Sequence, residues 1–280
     1  MPTTPFFLCP ICSNPLEKQD KIFKCENNHS FDCAKEGYVN LLPVQNKKTK
    51  QPGDNKAMIM ARKFFLEKKH YDILLAPCTK LINKYLSTDS NPASLLDIGC
   101  GDGYFTNIVF NDIERSRICY GMDISKEAVK VAAKRDKMIN WFVASSSKIP
   151  LPDESIDCIL KINSPLDYAN TAKKLSNNGF VVSITPGKKH LFALKSHIYE
   201  TAHDHEPETQ PANYKLLDTV NLEDTITLQN QNEIEQLFMM TPLYWNASQT
   251  AKNSVTKLTE LTTEIAFDIH IWQKSSSETS

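Results

Sequence analysis

Two groups of residues in this chain have the types and spacing to do chemistry. Cys9, Cys12, Cys25 and His29 read C-x2-C, twelve intervening residues, then C-x3-H. Two short clamps of thiolate and imidazole suit the tetrahedral preference of Zn2+, and a Cys3His shell leaves no position open for water. A metal held in this way would be structural, organising a segment too small to fold on its own core. A redox pair at Cys9/Cys12 is the alternative, but no βαβ pattern surrounds it.

The second group is D-x-G-x-G-x-G: Asp97, Gly99, Gly101, Asp102 and Gly103. Glycines are needed where a backbone turns sharply and a ligand lies against it without Cβ atoms in the way. Asp123 ends the next strand-like run about 20 residues past Gly103, a position suited to the hydroxyls of a ribose. NAD and S-adenosylmethionine both fit such a loop. Asp97 and Asp102 would repel a pyrophosphate but suit a cationic, amino-acid-tailed ligand, so the loop points to S-adenosylmethionine. Ala144-Ser145-Ser146 ends a further strand where an adenine would rest; a polar turn cap explains those serines equally well.

The elements that must position these groups are legible in the pattern. Residues 94–185 alternate near-continuous apolar runs with helical ones, which predicts a parallel sheet covered on both faces. The expected strands are Ser94–Ile98, Ile118–Asp123, Asn140–Ala144, Ile156–Ile162 and Gly179–Ile184, with helices from Gly103, from a Ser125 cap, and over Tyr168–Ser176. Ala57–Leu86 reads as two helices separated at Pro77. Beyond residue 188 the pattern gives a helix over Leu191–Tyr199, a polar stretch, a helix around Glu233–Met239 and a final alternating strand over Thr263–Trp272. The fold class is therefore α/β: a class I, Rossmann-like seven-stranded sheet with a small N-terminal zinc-ribbon-like domain. Its expected division is a metal segment at 1–45, a basic linker with helices at 46–92, and the sheet domain at 93–280.

Bulk properties narrow the class. Hydrophobic residues make up 41% and charged residues 23%, a globular composition. Lys plus Arg number 32 against 33 Asp plus Glu, so bulk charge does not drive the chain onto nucleic acid. Eight cysteines without a disulfide-like framework imply a reducing compartment, and the Pro5–Leu8 run is too short for a signal peptide. No run approaches the roughly 20 apolar residues of a membrane span. The expectation is a cytoplasmic protein with no membrane contact.

The clamps, together with HSFDCAKEGYVNLLPVQ (29–45), PGDNKAMIMAR (52–62), LLDIGCGDGYFT (95–106), VASS (143–146) and TPGKKHL (185–191), resemble the bacterial 23S rRNA guanine-N1 methyltransferases, the RlmA family. The resemblance runs through MTP-x-x-W (240–245) to FDIHIWQ (267–273). It implies a zinc-ribbon-like RNA-reading segment joined to a class I methyltransferase domain, a homodimer, and a guanine in a 23S rRNA hairpin as substrate. By position it matches Cys9, Cys12, Cys25 and His29 to zinc ligands, and Tyr71, Gly101, Asp102 and His190 to S-adenosylmethionine contacts. Read alone, Tyr71 is a core aromatic and His190 a helix-start residue. One departure stands out: Asn163-Ser164-Pro165-Leu166 occupies the place of the family's aromatic-Ala-Pro step.

Guanine N1 bears a proton at neutral pH and must lose it to attack a methyl group. Asp167, just past the strand tip, is a candidate acceptor. Lys47, Lys48, Lys50, Lys56, Arg62, Lys63, Lys68 and Lys69 form a candidate phosphate track, or else a solvated helix face. Two rival functions remain at this stage. One is a small-molecule methyltransferase with a structural zinc module. The other is a non-catalytic RNA-binding protein with a decayed cofactor fold, against which the intact loop speaks.

Overall fold

The computed structural model describes residues 6–43, 52–87, 92–114 and 117–275. The chain opens with β1 (Phe7–Leu8), β2 (Pro15–Gln19), β3 (Ile22–Lys24) and β4 (Ser30–Asp32), an antiparallel sheet in sequential order. Such short strands bury little on their own, and Phe7, Leu16 and Phe23 are their main apolar contribution. Phe7 sets its ring edge-on to Phe23 at 5.2 Å, to Phe142 at 5.2 Å and to Tyr120 at 5.9 Å, which fastens this sheet to the larger one.

β5 (Val39–Asn40) then leaves the small sheet and pairs in parallel with a strand of the larger one. The larger sheet continues through β6 (Ala93–Ile98), β7 (Arg117–Asp123), β8 (Asn140–Val143), β9 (Ile156–Ile162), β10 (Leu175–Pro186), β11 (Tyr214–Leu228) and β12 (Leu261–Lys274), ordered β11-β12-β10-β9-β6-β7-β8-β5. Counting β6 as one, the seven run 3-2-1-4-5-7-6, with β12 alone antiparallel to its neighbours. The winding reverses between β6 and β9, so the crevice for a ligand lies at the carboxyl ends of those two strands.

Helices cover the sheet: α1 (Lys56–Glu67), α2 (Leu75–Tyr85), α3 (Tyr104–Asn111), α4 (Lys126–Arg135), α5 (Tyr168–Lys174), α6 (Phe192–Ser196), α7 (Gln231–Met239), α8 (Pro242–Asn246) and α9 (Gln249–Val255). Asn55 caps α1 and Ser125 caps α4, each through its side-chain oxygen. Two expectations are corrected here. The break between the first helices falls at 68–71, where Lys69 has φ +65°, and Pro77 sits in the first turn of α2, where its missing N–H has no intrahelical partner to lose. The polar stretch after α6 contains β11, a 15-residue strand. It lies at the sheet edge with most side chains in water, so its alternation is charged rather than apolar.

The connection 197–213 is held by one buried carboxylate. Lys161, Ser183 and His270 sit side by side across β9, β10 and β12. Glu208 accepts from Lys161 Nζ at 2.9 Å, Tyr168 Oη at 2.8 Å, Ser183 Oγ at 2.6 Å and Trp272 Nε1 at 3.2 Å. Burial pushes its carboxyl up, but hydrogen bonds from His270, Ser183 and Lys161 outweigh that and hold it well below the usual range.

Candidate functional sites: a Cys3His knuckle pair and a glycine-floored crevice

In the small sheet, each clamp folds back on itself. Ser13 N donates to Cys9 O at 2.8 Å and Asn28 N to Cys25 O at 2.9 Å, and both Ser13 and Asn28 take the left-handed conformation (φ +63° in each). The turns bring four donor atoms within 4.8 Å of one another: the sulfurs of Cys9, Cys12 and Cys25 and a ring nitrogen of His29. His29 Nδ1 lies 3.5 Å from the sulfurs of Cys9 and Cys25, and Cys12 and Cys25 sulfurs are 3.7 Å apart. Zn–S bonds of ~2.3 Å in a tetrahedron put sulfurs roughly 3.8 Å apart, so these donors fit the metal without rearrangement. The Asn14 backbone N–H lowers the Cys12 thiol to about 6, toward the thiolate that a metal needs. Lys148 Nζ donates to Pro10 O at 2.6 Å, tying the first knuckle to the large sheet.

The crevice is built at the tip of β6. Gly99 N and Cys100 N both donate to Met122 O, and Gly101 N donates to Asp123 Oδ2 at 3.0 Å, so β7 holds the loop from behind. Gly99 has φ +78°, and a Cβ there would overlap the Ser164 side chain, whose Oγ donates to Ile98 O at 2.7 Å. Ser164 thus locks the β9 tip against the loop, and Asn163 before it is exposed with φ +50°. The Asn-Ser-Pro departure has a packing role.

Asp97 lies under α3. Its Oδ2 accepts from Thr106 Oγ1 at 2.6 Å, while Oδ1 is buried with no hydrogen-bond partner. Burial pushes this carboxyl up to about 7. An orphaned buried carboxylate oxygen fits a cationic ligand group, which meets the requirement of an S-adenosylmethionine ammonium. Asp102 is arranged differently: its carboxylate is paired with Arg135 and turned toward α4. It shapes the loop, and any contact it makes with a ligand comes from backbone. Asp123 uses both oxygens to accept backbone N–H groups, from Gly101 and from Ser125 at 2.7 Å, and burial raises its carboxyl.

Tyr71 and His190 come together, 119 residues apart in sequence, with Tyr71 Oη 3.2 Å from His190 Nε2. Ala266 N donates to His190 Nδ1 at 3.2 Å, so the ring proton sits on Nε2 and is donated to the Tyr71 oxygen. The phenol hydrogen is left to donate elsewhere. Burial lowers His190 to about 3 and raises the Tyr71 phenol, so both stay neutral at physiological pH.

Two expected residues do other work. Asp167 is the N-cap of α5, with Oδ1 accepting from Asn170 N at 3.0 Å and Oδ2 from Asn170 Nδ2 at 2.7 Å, so its carboxylate is engaged. Arg62 leaves the basic track. It pairs with Asp54 at 2.7 Å, donates to Met240 O at 3.5 Å, and lies against the open side of Gly101. Lys63 and Lys68 face Glu67 and Glu233 at 3.8 Å and 3.7 Å. Lys47, Lys48 and Lys50 lie outside the described residues. Reading the sequence missed Thr106, Ser164 and Arg62 as parts of the crevice; only the PGDNKAMIMAR string signalled the last.

Comparison with known proteins agrees with both sites. Residues 7–50 match the family model for the RlmA N-terminal zinc ribbon, and residues 96–176 match a methyltransferase domain. A Bacillus subtilis (strain 168) protein, YxjB, provisionally named a 23S rRNA (guanine-N1)-methyltransferase, is 29% identical over 95% of both chains. The 23S rRNA (guanine(748)-N1)-methyltransferase of Streptomyces fradiae is 31% identical over 68% of this chain and 66% of its own. Sheet order, glycine loop and knuckle pair define a class I S-adenosylmethionine-dependent methyltransferase with a structural zinc ribbon. Within that class, the chain belongs to the RlmA family.

Proposed function

We propose that this methyltransferase modifies N1 of a guanine in a hairpin of 23S rRNA, acting as a cytoplasmic homodimer. The observation that carries the reading is the ribbon mounted on the same sheet as the cofactor loop, through Phe7, Lys148 and β5. A module fastened so close to a methyl-transfer crevice is suited to hold a large substrate, and the curated relatives bear rRNA names.

The zinc ligands are Cys9, Cys12, Cys25 and His29. S-adenosylmethionine supplies a methyl group on a sulfonium, a good leaving group, so the protein's work is mostly positioning. Asp97 Oδ1 takes the cofactor's ammonium, and Tyr71, with His190 behind it, donates its hydroxyl to the carboxylate. Gly99, Gly101 and the Asp102 backbone give the floor, and Asp123 takes the ribose. N1 lies on the pairing edge of guanine, so the base enters unpaired or flipped. The ribbon at 1–45 reads RNA, 46–92 links, and 93–280 transfers the methyl group.

The deciding experiment is mass mapping of 23S rRNA methyl groups with and without the gene, followed by restoration in vitro with the purified protein. Loss and recovery of one N1-methylguanine is expected. An unchanged rRNA pattern, with turnover on metabolites, would replace the reading by a small-molecule methyltransferase.

A further inference from the structure

Past the wall made by Tyr71 and His190 lies an open cleft of about 640 Å³. Its sides are Lys195 in α6, Tyr199 and His203 in the connection that follows, and Leu243 in α8, with Glu200 at the rim. Building on the rRNA reading, we propose that this cleft receives the acceptor guanine and that Lys195 Nζ takes the N1 proton.

Four observations converge. A cleft of this size suits a nucleobase with part of its backbone. Tyr199 is exposed and Leu243 half-buried, so a planar base has an aromatic and an aliphatic side chain to lie against. Lys195 is only 5% exposed, yet among the described residues its Nζ has one partner, His203 O at 3.0 Å, and no carboxylate within ion-pair distance. A buried amine without a counter-ion favours its neutral form, the form that accepts a proton. Finally, Lys195 acts electrostatically on His190, whose Nε2 faces Tyr71, so the cleft adjoins the cofactor wall.

The surroundings favour the same assignment. Burial lowers the Lys195 pKa and Lys189 adds to that. Asp204 opposes it, but Asp204 is paired with Lys189 at 2.8 Å and Lys188 at 3.7 Å. His205 is lowered by burial, like His190, and so adds no counter-charge. Other carboxylates near the strand tips are engaged: Asp167 caps α5, and Glu208 holds the connection. In the reaction the N1–H bond breaks toward Nζ, and the N1 electron pair forms the new N–CH3 bond. The pair of the broken S–CH3 bond stays on sulfur, and the resulting ammonium returns its proton to water.

The test uses the full chain, S-adenosylmethionine and an rRNA hairpin that the wild type methylates. Lys195→Met is expected to slow single-turnover transfer by about 100- to 1000-fold, with cofactor and hairpin affinities within about threefold of wild type. Its residual rate should climb about tenfold per pH unit toward guanine's own ionisation, while the wild type levels off earlier. Leu243→Trp should abolish the fluorescence rise of a hairpin carrying 2-aminopurine at the target position. Tyr199→Ala, at an exposed site that tolerates change, should reduce that rise at least severalfold and decides the matter if Leu243→Trp misfolds. An unaltered pH profile in Lys195→Met, or its reproduction by Glu200→Gln alone, overturns the proton role. Undiminished fluorescence in both cleft variants overturns the site. A wild type inert on every rRNA hairpin removes the functional reading instead, and the cleft assignment with it.

Discussion

The ribbon and the large sheet hold their backbones in place by different physics. The ribbon has strands of two to five residues and few fully buried side chains, and four metal donors do the work of a core. The sheet is fixed by packed apolar side chains on both faces, and its few buried polar groups are held in specific networks. One region is ordered by a removable ion. The other is ordered by contacts that no single removal abolishes.

Stripping the metal tests that contrast with the largest effect. Structural zinc contributes on the order of 10–16 kcal/mol of apparent binding energy in small ribbons and fingers. Chelation should collapse amide-exchange protection over residues 6–33 and abolish hairpin binding, with cofactor affinity nearly unchanged. Retained protection in metal-free protein would break the contrast.

The sheet has one place where a single substitution should approach that scale. Glu208→Ala leaves Lys161 buried without its partner, and about 3–5 kcal/mol of stability should disappear in urea unfolding. Because the folded carboxyl is held below its usual value, its contribution is full above the ordinary carboxylate range and is lost as pH falls toward the folded value. Glu208→Gln should flatten that acid limb; an unchanged limb assigns acid sensitivity elsewhere.

A smaller effect is expected at the crevice floor. Gly99→Ala combines left-handed backbone strain of about 1–2 kcal/mol with overlap at Ser164. Cofactor affinity, read by calorimetry, should fall at least tenfold. Adding Ser164→Gly should recover the overlap and leave the strain.

The smallest effect is a proton count. Cofactor-free Asp97 is held up to about 7, so below that pH it is mostly protonated and must ionise to face an ammonium. Binding at pH 6 should release most of one proton and at pH 9 almost none, with affinity rising to about pH 7 and then levelling. The same shift means that ionising Asp97 in the empty protein costs stability as pH rises through 7. Calorimetry in buffers of different ionisation enthalpy reads the release directly, and equal counts at both pH values would separate Asp97 from the ammonium.

The metal set and the glycine loop were legible because their chemistry needs fixed residue types at fixed local spacing. The parallel strands were legible because strands buried on both faces are apolar throughout. β11 was not, because an edge strand facing water carries polar residues like a loop. Nor was the inward turn of Arg62, since a basic residue on a helix reads the same whether it meets phosphate, Asp54 or a glycine loop. Tyr71 and His190 meet only through long-range folding, and the resemblance, rather than any local pattern, had singled them out.

The parallel addition of Val39–Asn40 beside Phe142–Val143 has a further consequence. It shields what would otherwise be a bare lateral row of N–H and C=O groups on β8, the kind of exposed template along which chains polymerise. A truncation starting at residue 44 would therefore lose more than its grip on a substrate. It would acquire a self-adhesive margin, so clumping on expression is the expected fate of the catalytic half produced alone, and a shortened version keeping residues 34–43 should stay dispersed.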